Sequence, residues 1–494
     1  MSEATAHDAL RALRARGTLY AGGKWFEGDG AELRDVNPST GELLANIGSA
    51  SPAQMDRAVA AARGAQPQWS AAGFVRRGEY LIRIADLLEA STEELAEILA
   101  LEVGKPLAQG RGELAWASGT LRYQADWSRK LSGEILPSDN PDEAIHLLRV
   151  SLGVVVAICA WNFPMAMFFR KICPALLAGN TVVLKSSETT PLAALALTAV
   201  IEEAELPPGV LNVVSGASDV GSYLVGHPGV DLVSMTGSVA AGKAIMRAAA
   251  DNLTRVSLEL GGKAAAIVWK DADLDIAVPS LVLARHLNSG QVCTCAERFY
   301  VHEAVYDEFL ERYCAAVRAL TVGDPFAESD MGPLVSEAQF DKVTSMVGEA
   351  LDGGASLAYE PTPPARGGGF WFTPTVLTGV AQSMPLMQRE VFGPVSPVLK
   401  VSTLDEALRF ANDSVYGLSG YVFSSSYDVV MRVTRELDCG EIYVNRTLGE
   451  ASNAHHAGHK QSGIGGEDGL HGLLRYMAIR SVYHQYPARG VSVV

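Results

Sequence analysis

An alternation that begins after residue 152 constrains the fold of this chain most. Short apolar or β-branched runs at 154–160, 181–184, 210–214 and 231–235 are separated by Ala- and Leu-rich stretches of helical length. Strands that alternate with helices need crossover connections, so βαβ units and a parallel sheet are expected. The runs are continuously apolar rather than alternating, as they must be when helices cover both faces of a sheet. Upstream, Leu81, Ile84, Leu87, Leu88, Leu95, Ile98 and Leu99 recur at helical spacing, and Ser91-Thr92 interrupts them, which predicts two amphipathic helices within 78–101. A second alternating region runs from about 259 to 458, with helices predicted over 303–319 and 337–351. The segment 361–369, with three prolines and three consecutive glycines, reads as a loop or a hairpin connection.

The length of 494 residues exceeds one ordinary core, and two to four domains are expected. A content of 48% hydrophobic and 19% charged residues excludes a disordered chain. Forty Lys and Arg against 56 Asp and Glu leave a net charge of -16. No global basic field attracts phosphate backbones or anionic lipid, so neither nucleic acid nor a membrane is an expected partner. The six cysteines do not form a disulfide framework, and Cys293 and Cys295 lack metal-ligand spacing, so no metal is expected. No secretory h-region follows Glu3, Asp8, Arg11, Arg14 and Arg16, and the longest apolar run, 154–161, falls far short of the roughly 20 residues of a membrane span. A reducing, cytoplasmic setting is expected. Two α/β halves imply a cleft between them, where a small ligand would sit.

Three short segments could carry chemistry there. Asn288-Ser289-Gly290-Gln291-Val292-Cys293-Thr294-Cys295 places a thiol just after a Gly-Gln turn, which can bring sulfur into a cleft; an arbitrary Cys would instead be buried and inert. LELGGK at 258–263 puts Glu259 before a Gly-Gly turn that ends an apolar strand; alone, such a Glu would be a solvated strand end. Trp161-Asn162-Phe163-Pro164 follows the strand at 154–160. An Asn at that end of a parallel strand points into the ligand crevice and its amide can stabilise an oxyanion, unless it merely caps the next helix.

These motifs, in this order, resemble the aldehyde dehydrogenase superfamily over about 18–485, together with VVLKSSETTP at 182–191, MTGSVAAG at 235–242 and EVFGPV at 390–395. The family's Lys-Pro step is Lys185-Ser186 here. The resemblance implies an α/β fold of two Rossmann-like domains with parallel sheets plus a small β oligomerisation arm. An NAD-binding domain would comprise 1–125 and 151–258, a catalytic domain 259–470, and the arm 126–150 and 471–494, giving a homodimer or homotetramer. It assigns Cys293 as nucleophile, Glu259 as general base, and Asn162 with the Cys293 backbone N–H as oxyanion hole. NAD would be the cofactor, held by Trp161, Lys185, Glu188, Gly237, Ser238, Gly242, Glu390 and Phe392. Gly237-Ser238-x-x-x-Gly242 departs from the usual dinucleotide fingerprint but still opens a helix after a strand.

The stretches around Arg170, Cys293 and the C-terminal HAGHKQSGIGGEDGLHG most resemble bacterial lactaldehyde and glycolaldehyde dehydrogenases. On that resemblance Arg170, Glu450 and His456 line a pocket for a small polar aldehyde. The competing expectations are that Arg170 pairs with an acid and that His455 and His456 lie on the surface. Thr294 departs from the Asn those enzymes carry after the nucleophile. Succinate-semialdehyde dehydrogenases share the Arg at 170 but add a second Arg where this chain has Leu287, so that activity ranks second, beside a broad-range enzyme. A CoA-acylating relative would lack the base at Glu259, and a silent homologue would have lost Cys293, Glu259 or Asn162; all three are present.

Overall fold

The computed structural model describes residues 10–359 and 368–486, so most of the predicted connection at 361–369 lies outside the described residues. Five mutually parallel strands form the heart of an eight-stranded sheet, in the spatial order Leu211–Val214, Thr181–Lys185, Val154–Ile158, Leu232–Thr236 and Arg255–Glu259. All four runs read from the alternation after residue 152 are therefore strands. Val154, Val155, Val182, Val183 and Val233 are fully buried, as two helix-covered faces require. Strand order reverses between Val154–Ile158 and Leu232–Thr236. The segments that leave the C-terminal ends of these neighbours, at 159–163 and 237–238, diverge and open a crevice.

The predicted helix pair is present as Phe74–Ala90 and Thr92–Glu102. Ser91 separates them without a side-chain cap bond, while the Thr92 hydroxyl donates to the Leu88 carbonyl at 3.2 Å. The second sheet has seven strands, of which Thr375–Thr378, Val395–Val401, Ala296–His302, Ala264–Val268, Ser419–Phe423 and Glu441–Val444 run parallel. Its helices include Tyr306–Arg318 and Glu337–Asp352; the first starts later than predicted because Glu303 and Val305 are tied into the preceding turn by bonds to Val401 and His302.

Residues 260–263 alone carry the chain from Glu259, at the end of the first sheet, to Ala264, at the start of the second. The chain returns late: Gly463–Ile464 pairs antiparallel with Leu258 and Glu259 at the edge of the first sheet. Glu134–Pro137, Glu143–Ser151 and Met477–Gln485 form a separate three-stranded antiparallel sheet. Among the described residues no helix is long and apolar enough to cross a membrane.

Candidate active site

A cavity of about 870 Å³ follows the crevice and is lined by strand ends of the first sheet and by loops and a helix that adjoin the second. Trp161, Asn162, Arg170, Lys185, Glu188, Gly237, Ser238, Cys293, Glu390, Phe392 and Glu450 reach its wall. Glu259, Gly242 and His456 do not; all three are buried.

The nucleophile loop is strained and over-determined. Asn288, Ser289 and Gly290 are consecutive left-handed residues, with φ of 49°, 57° and 74°. Each non-glycine residue held there costs on the order of 1 kcal/mol or more, so neighbouring bonds must hold the loop. Asn288 Nδ2 donates to the Asn162 carbonyl at 2.9 Å, and Asn288 N donates to Gln109 Oε1 at 2.9 Å. The Ser289 hydroxyl donates to the Gly332 carbonyl at 2.8 Å, and Gln291 bridges the Asn288 carbonyl and Val335 N. Held this way, Cys293 is partly exposed at the cavity while Cys295, two residues on, is fully buried.

Asn162 is not a helix cap. Phe163 takes that position before Pro164–Leu177, and Glu113 Oε1 accepts the N–H groups of Met165 and Ala166 at 2.9 Å each. Buried Lys105 pairs with the other Glu113 oxygen and donates to the Asn162 carbonyl at 3.0 Å. One N–H of the Asn162 amide donates to the Gln291 carbonyl at 2.9 Å, leaving the other unused. Neither Lys105 nor Glu113 was foreseen. They carry no clear signal in the sequence, because Glu102, Gln109 and Arg111 stand in the same stretch.

The Gly-Gly turn after Glu259 is dictated by its neighbours. A Cβ on Gly262 would collide with the Cys293 carbonyl, and one on Gly261 would lie 2.7 Å from a Glu390 carboxylate oxygen. Glu259 is 2% exposed and neither carboxylate oxygen has a hydrogen-bond partner. Burial, only partly offset by His456, pushes its pKa up to about 8. His456 Nε2 lies 3.8 Å from Glu259 Oε2 and its Nδ1 lies 3.0 Å from Glu441 Oε1, so this histidine is a core group and not a surface one. Burial also raises the Cys293 thiol above the ordinary cysteine range, with His456 the largest opposing influence.

Arg170 does pair with acids. Its Nε and Nη2 grip the two Asp468 oxygens at 3.2 and 2.6 Å, Nη2 also reaches Glu450 Oε2 at 2.9 Å, and the guanidinium lies 4.7 Å from the Trp116 ring centroid. The Thr294 hydroxyl donates to Glu450 Oε1 at 3.1 Å. Glu450, half-buried at the cavity wall, is held down to about 2 by Arg170, His456 and the Thr294 bond, and is therefore ionised. The neighbouring Lys171, also fully buried, pairs with Glu467 at 2.6 Å. Sequence reading missed Asp468, Glu467, Lys171 and Glu441; two adjacent cations in an otherwise apolar helix were the available signal for buried acids nearby.

The other end of the cavity fits a dinucleotide. Ser238 caps Val239–Ala250, its hydroxyl accepting from Ala241 N at 3.2 Å, so a helix N-terminus faces the crevice. Lys185 and Glu188 form an ion pair at 3.0 Å, and Val225 and Ile245 supply an apolar wall. Gly242 packs the helix instead: a Cβ there would lie 2.7 Å from Leu260. Nearer Cys293, Phe392 adopts φ 57° and meets Trp161 edge-on at 5.2 Å. Buried Glu297 holds this loop by accepting from Val391 N and Phe392 N.

The aldehyde dehydrogenase family model matches residues 25–482. A 3,6-anhydro-alpha-L-galactose dehydrogenase from Vibrio sp. (strain EJY3) is 43% identical, covering 94% of this chain and 98% of that protein. Lactaldehyde dehydrogenase from Escherichia coli is 42% identical over the same shares, and its crystal structure superposes with a TM-score of 0.92. A betaine aldehyde dehydrogenase from Staphylococcus aureus in complex with NAD+ is 34% identical, with a TM-score of 0.95 over 99% of this chain and 98% of that one. The chain therefore belongs to the aldehyde dehydrogenase family, as an NAD(P)-dependent oxidoreductase acting on aldehydes.

Proposed function

We propose that the protein oxidises a small, neutral, polar aldehyde of the lactaldehyde or glycolaldehyde type to its carboxylate, with NAD. The observation that carries the substrate reading is the pairing of Arg170 with both Asp468 and Glu450 beside Cys293. Two carboxylates more than offset the single charge of the guanidinium, which has no free positive charge to offer a substrate carboxylate, and Leu287 supplies no second cation. This ranks succinate semialdehyde lower. An apolar aldehyde would leave polar groups at the wall without partners, at about 1 to 3 kcal/mol each. A 2-hydroxyl can donate to ionised Glu450.

Cys293 Sγ, as the thiolate, attacks the carbonyl carbon, and the resulting oxyanion is met by the unused Asn162 N–H and the Cys293 backbone N–H. A bound nicotinamide would supply the hydride acceptor, and loss of hydride from the adduct would leave a thioester on Cys293. Glu259 then takes a proton from water, the oxygen adds to the thioester carbon, and the C–S bond breaks to release the acid. A carboxyl raised to about 8 is a better proton acceptor than an ordinary Glu. Trp161, Lys185, Glu188, Gly237, Ser238, Glu390 and Phe392 hold the cofactor, and Gly242 acts through helix packing. Glu188 favours NAD, because its carboxylate can accept from ribose hydroxyls and repels a 2′-phosphate.

The domain division at 125, 150, 258 and 470 is retained in this reading. The three-stranded sheet exposes Ile135, Ile479 and Tyr483, which supports its use as an arm between copies in a homodimer or homotetramer. Six unpaired cysteines support a reducing, cytoplasmic setting.

Rapid mixing with glycolaldehyde and NAD tests the chemistry. Cys293→Ala gives no reduced cofactor, while Cys295→Ala keeps most of the activity. Glu259→Gln gives one burst and then turnover slower by about 100-fold. The parent's hydrolytic step accelerates as pH rises through about 8, because the base form of Glu259 is then gained. Full turnover by Cys293→Ala contradicts the proposal.

A further inference from the structure

Lys105 and Glu113 form an ion pair whose two side chains are fully buried. Charges withdrawn from water in this way seldom stabilise a fold more than apolar side chains of the same volume would, so the bonds the pair makes to its surroundings point to its use. Gly104, at φ 75° and with Pro333 2.6 Å from where a Cβ would stand, turns the chain so that Lys105 enters the interior; Glu113 stands on the helix Leu107–Asp126. Their side-chain bonds converge on one short segment. Glu113 Oε1 accepts from Met165 N and Ala166 N at 2.9 Å each, which satisfies two first-turn N–H groups that the helix Pro164–Leu177 cannot satisfy itself. Lys105 Nζ, held by the other Glu113 oxygen, donates to the Asn162 carbonyl at 3.0 Å and lies 3.7 Å from the centroid of the Phe163 ring. The chain is thus held on both sides of Phe163. The Asn162 carbonyl takes a second hydrogen bond, from Asn288 Nδ2 at 2.9 Å, so both its lone pairs are used. The Asn162 amide gives one N–H to the Gln291 carbonyl at 2.9 Å, and because an amide is planar, the direction of the other N–H follows from that bond and from where the main chain stands.

Resting on the reading of Asn162 as oxyanion donor, we propose that Lys105 and Glu113 are positioning residues for aldehyde oxidation: they hold the Asn162 main chain where its unused amide N–H meets the oxygen of the carbonyl under attack. The Cys293 sulfur adds to the carbonyl carbon, the π pair of the C=O bond moves to oxygen, and the negative charge forms within reach of that N–H. Lys105 and Glu113 act through Asn162. Glu113 fixes the start of the helix that follows, Lys105 fixes the peptide that precedes it, and Asn288 and Gln291 tie the same residue to the loop that carries Cys293. Donor and nucleophile are thereby set relative to each other, and a displacement of about 1 Å at such a point can cost as much as 100-fold in rate.

The test is the rate of the first burst of reduced cofactor with NAD and glycolaldehyde, measured for Lys105→Met and for Lys105→Met/Glu113→Gln, each in the parent and in an Asn162→Ala background. Asn162→Ala slows the burst by about 100-fold or more, the value of one oxyanion donor. Lys105→Met slows it by about tenfold or more, because the amide survives but is no longer aimed. The double variant does the same and strands no buried charge, so it serves where Lys105→Met does not fold; NAD binding, read by fluorescence, reports folding. Added to Asn162→Ala, either change has a further effect within about twofold, because it acts through an amide already absent. Alkylation of Cys293 by iodoacetamide, a displacement at saturated carbon that develops no oxyanion, keeps the parent rate in every variant. Folded Lys105 variants that burst at the parent rate overturn the proposal, as do variants that slow Asn162→Ala as much as they slow the parent, or that lose alkylation in proportion to the burst. Failure of the underlying reading looks different: Asn162→Ala itself then bursts at the parent rate.

Discussion

The two ends of the one cavity use charge in opposite ways. At the cofactor end, Lys185 and Glu188 form a single ion pair whose Glu188 side chain is 49% exposed, beside hydroxyls and a helix N-terminus. At the substrate end, Arg170, Glu450, Asp468, His456, Glu441 and Glu259 converge in the interior. Solvent shields the first arrangement, so that in the proposed reading one local charge, that of Glu188, is left to discriminate between ligands. The second lies largely out of solvent, with only Glu450 and Glu441 part-exposed, and each of its charged groups except Glu259 has a hydrogen-bonded partner. That exception is informative: within this cluster the carboxylate without a hydrogen bond is the candidate base, and its burial raises its proton affinity.

Breaking each end should therefore have unequal consequences. Arg170→Leu strands Glu450 and Asp468 without their cation, and thermal or denaturant unfolding should show a loss of about 3 to 5 kcal/mol, the usual consequence of breaking a buried pair. A loss below 1 kcal/mol would mean that the cluster is far more hydrated than its burial indicates. At the other end, Glu188→Ser should leave stability within about 0.5 kcal/mol of the parent. Its effect lies in cofactor choice. Two unit charges about 4 Å apart interact by roughly 4 kcal/mol at an effective dielectric of 20, and Lys185 offsets part of this for a 2′-phosphate. The parent should prefer NAD over NADP by about 100-fold in kcat/KM, and the variant should narrow that gap by about tenfold; equal use of both cofactors by the parent would remove Glu188 from the argument.

The same contrast marks what could be read in the sequence. Strand positions, the paired helices at 78–101, and the motifs around Asn162, Glu259 and Cys293 were legible because each is local: a hydrophobic period, a turn, a residue at a strand end. The residues of the proposed cofactor end came from the family resemblance, because Lys185 and Glu188 read alone would be ordinary surface charges; only the helix opened by Ser238 after a strand was a local signal. The substrate end was legible only in part. Asp468 reaches Arg170, and Glu441 reaches His456, through tertiary packing that no spacing announces. Thr294 read as a departure that obscured specificity, yet its hydroxyl anchors Glu450. The left-handed Ser289 was equally invisible, because serine has no preference for that conformation; only the bonds to Gly332, Asn162 and Gln109 around it explain why the loop keeps it.

A direct comparison of substrates tests the central claim, that an Arg170 already claimed by two carboxylates selects small hydroxyaldehydes. Lactaldehyde, glycolaldehyde, propanal, hexanal and succinate semialdehyde would be compared by kcat/KM under one condition with NAD. The account predicts that lactaldehyde or glycolaldehyde exceeds propanal and hexanal by about tenfold or more, the value of one unsatisfied polar group, with succinate semialdehyde behind them. A large preference for succinate semialdehyde would contradict it, since Arg170 would then be free to hold a carboxylate despite Asp468 and Glu450. A preference for hexanal would contradict it more deeply, because Arg170 and Glu450 would then have no part in recognising the substrate.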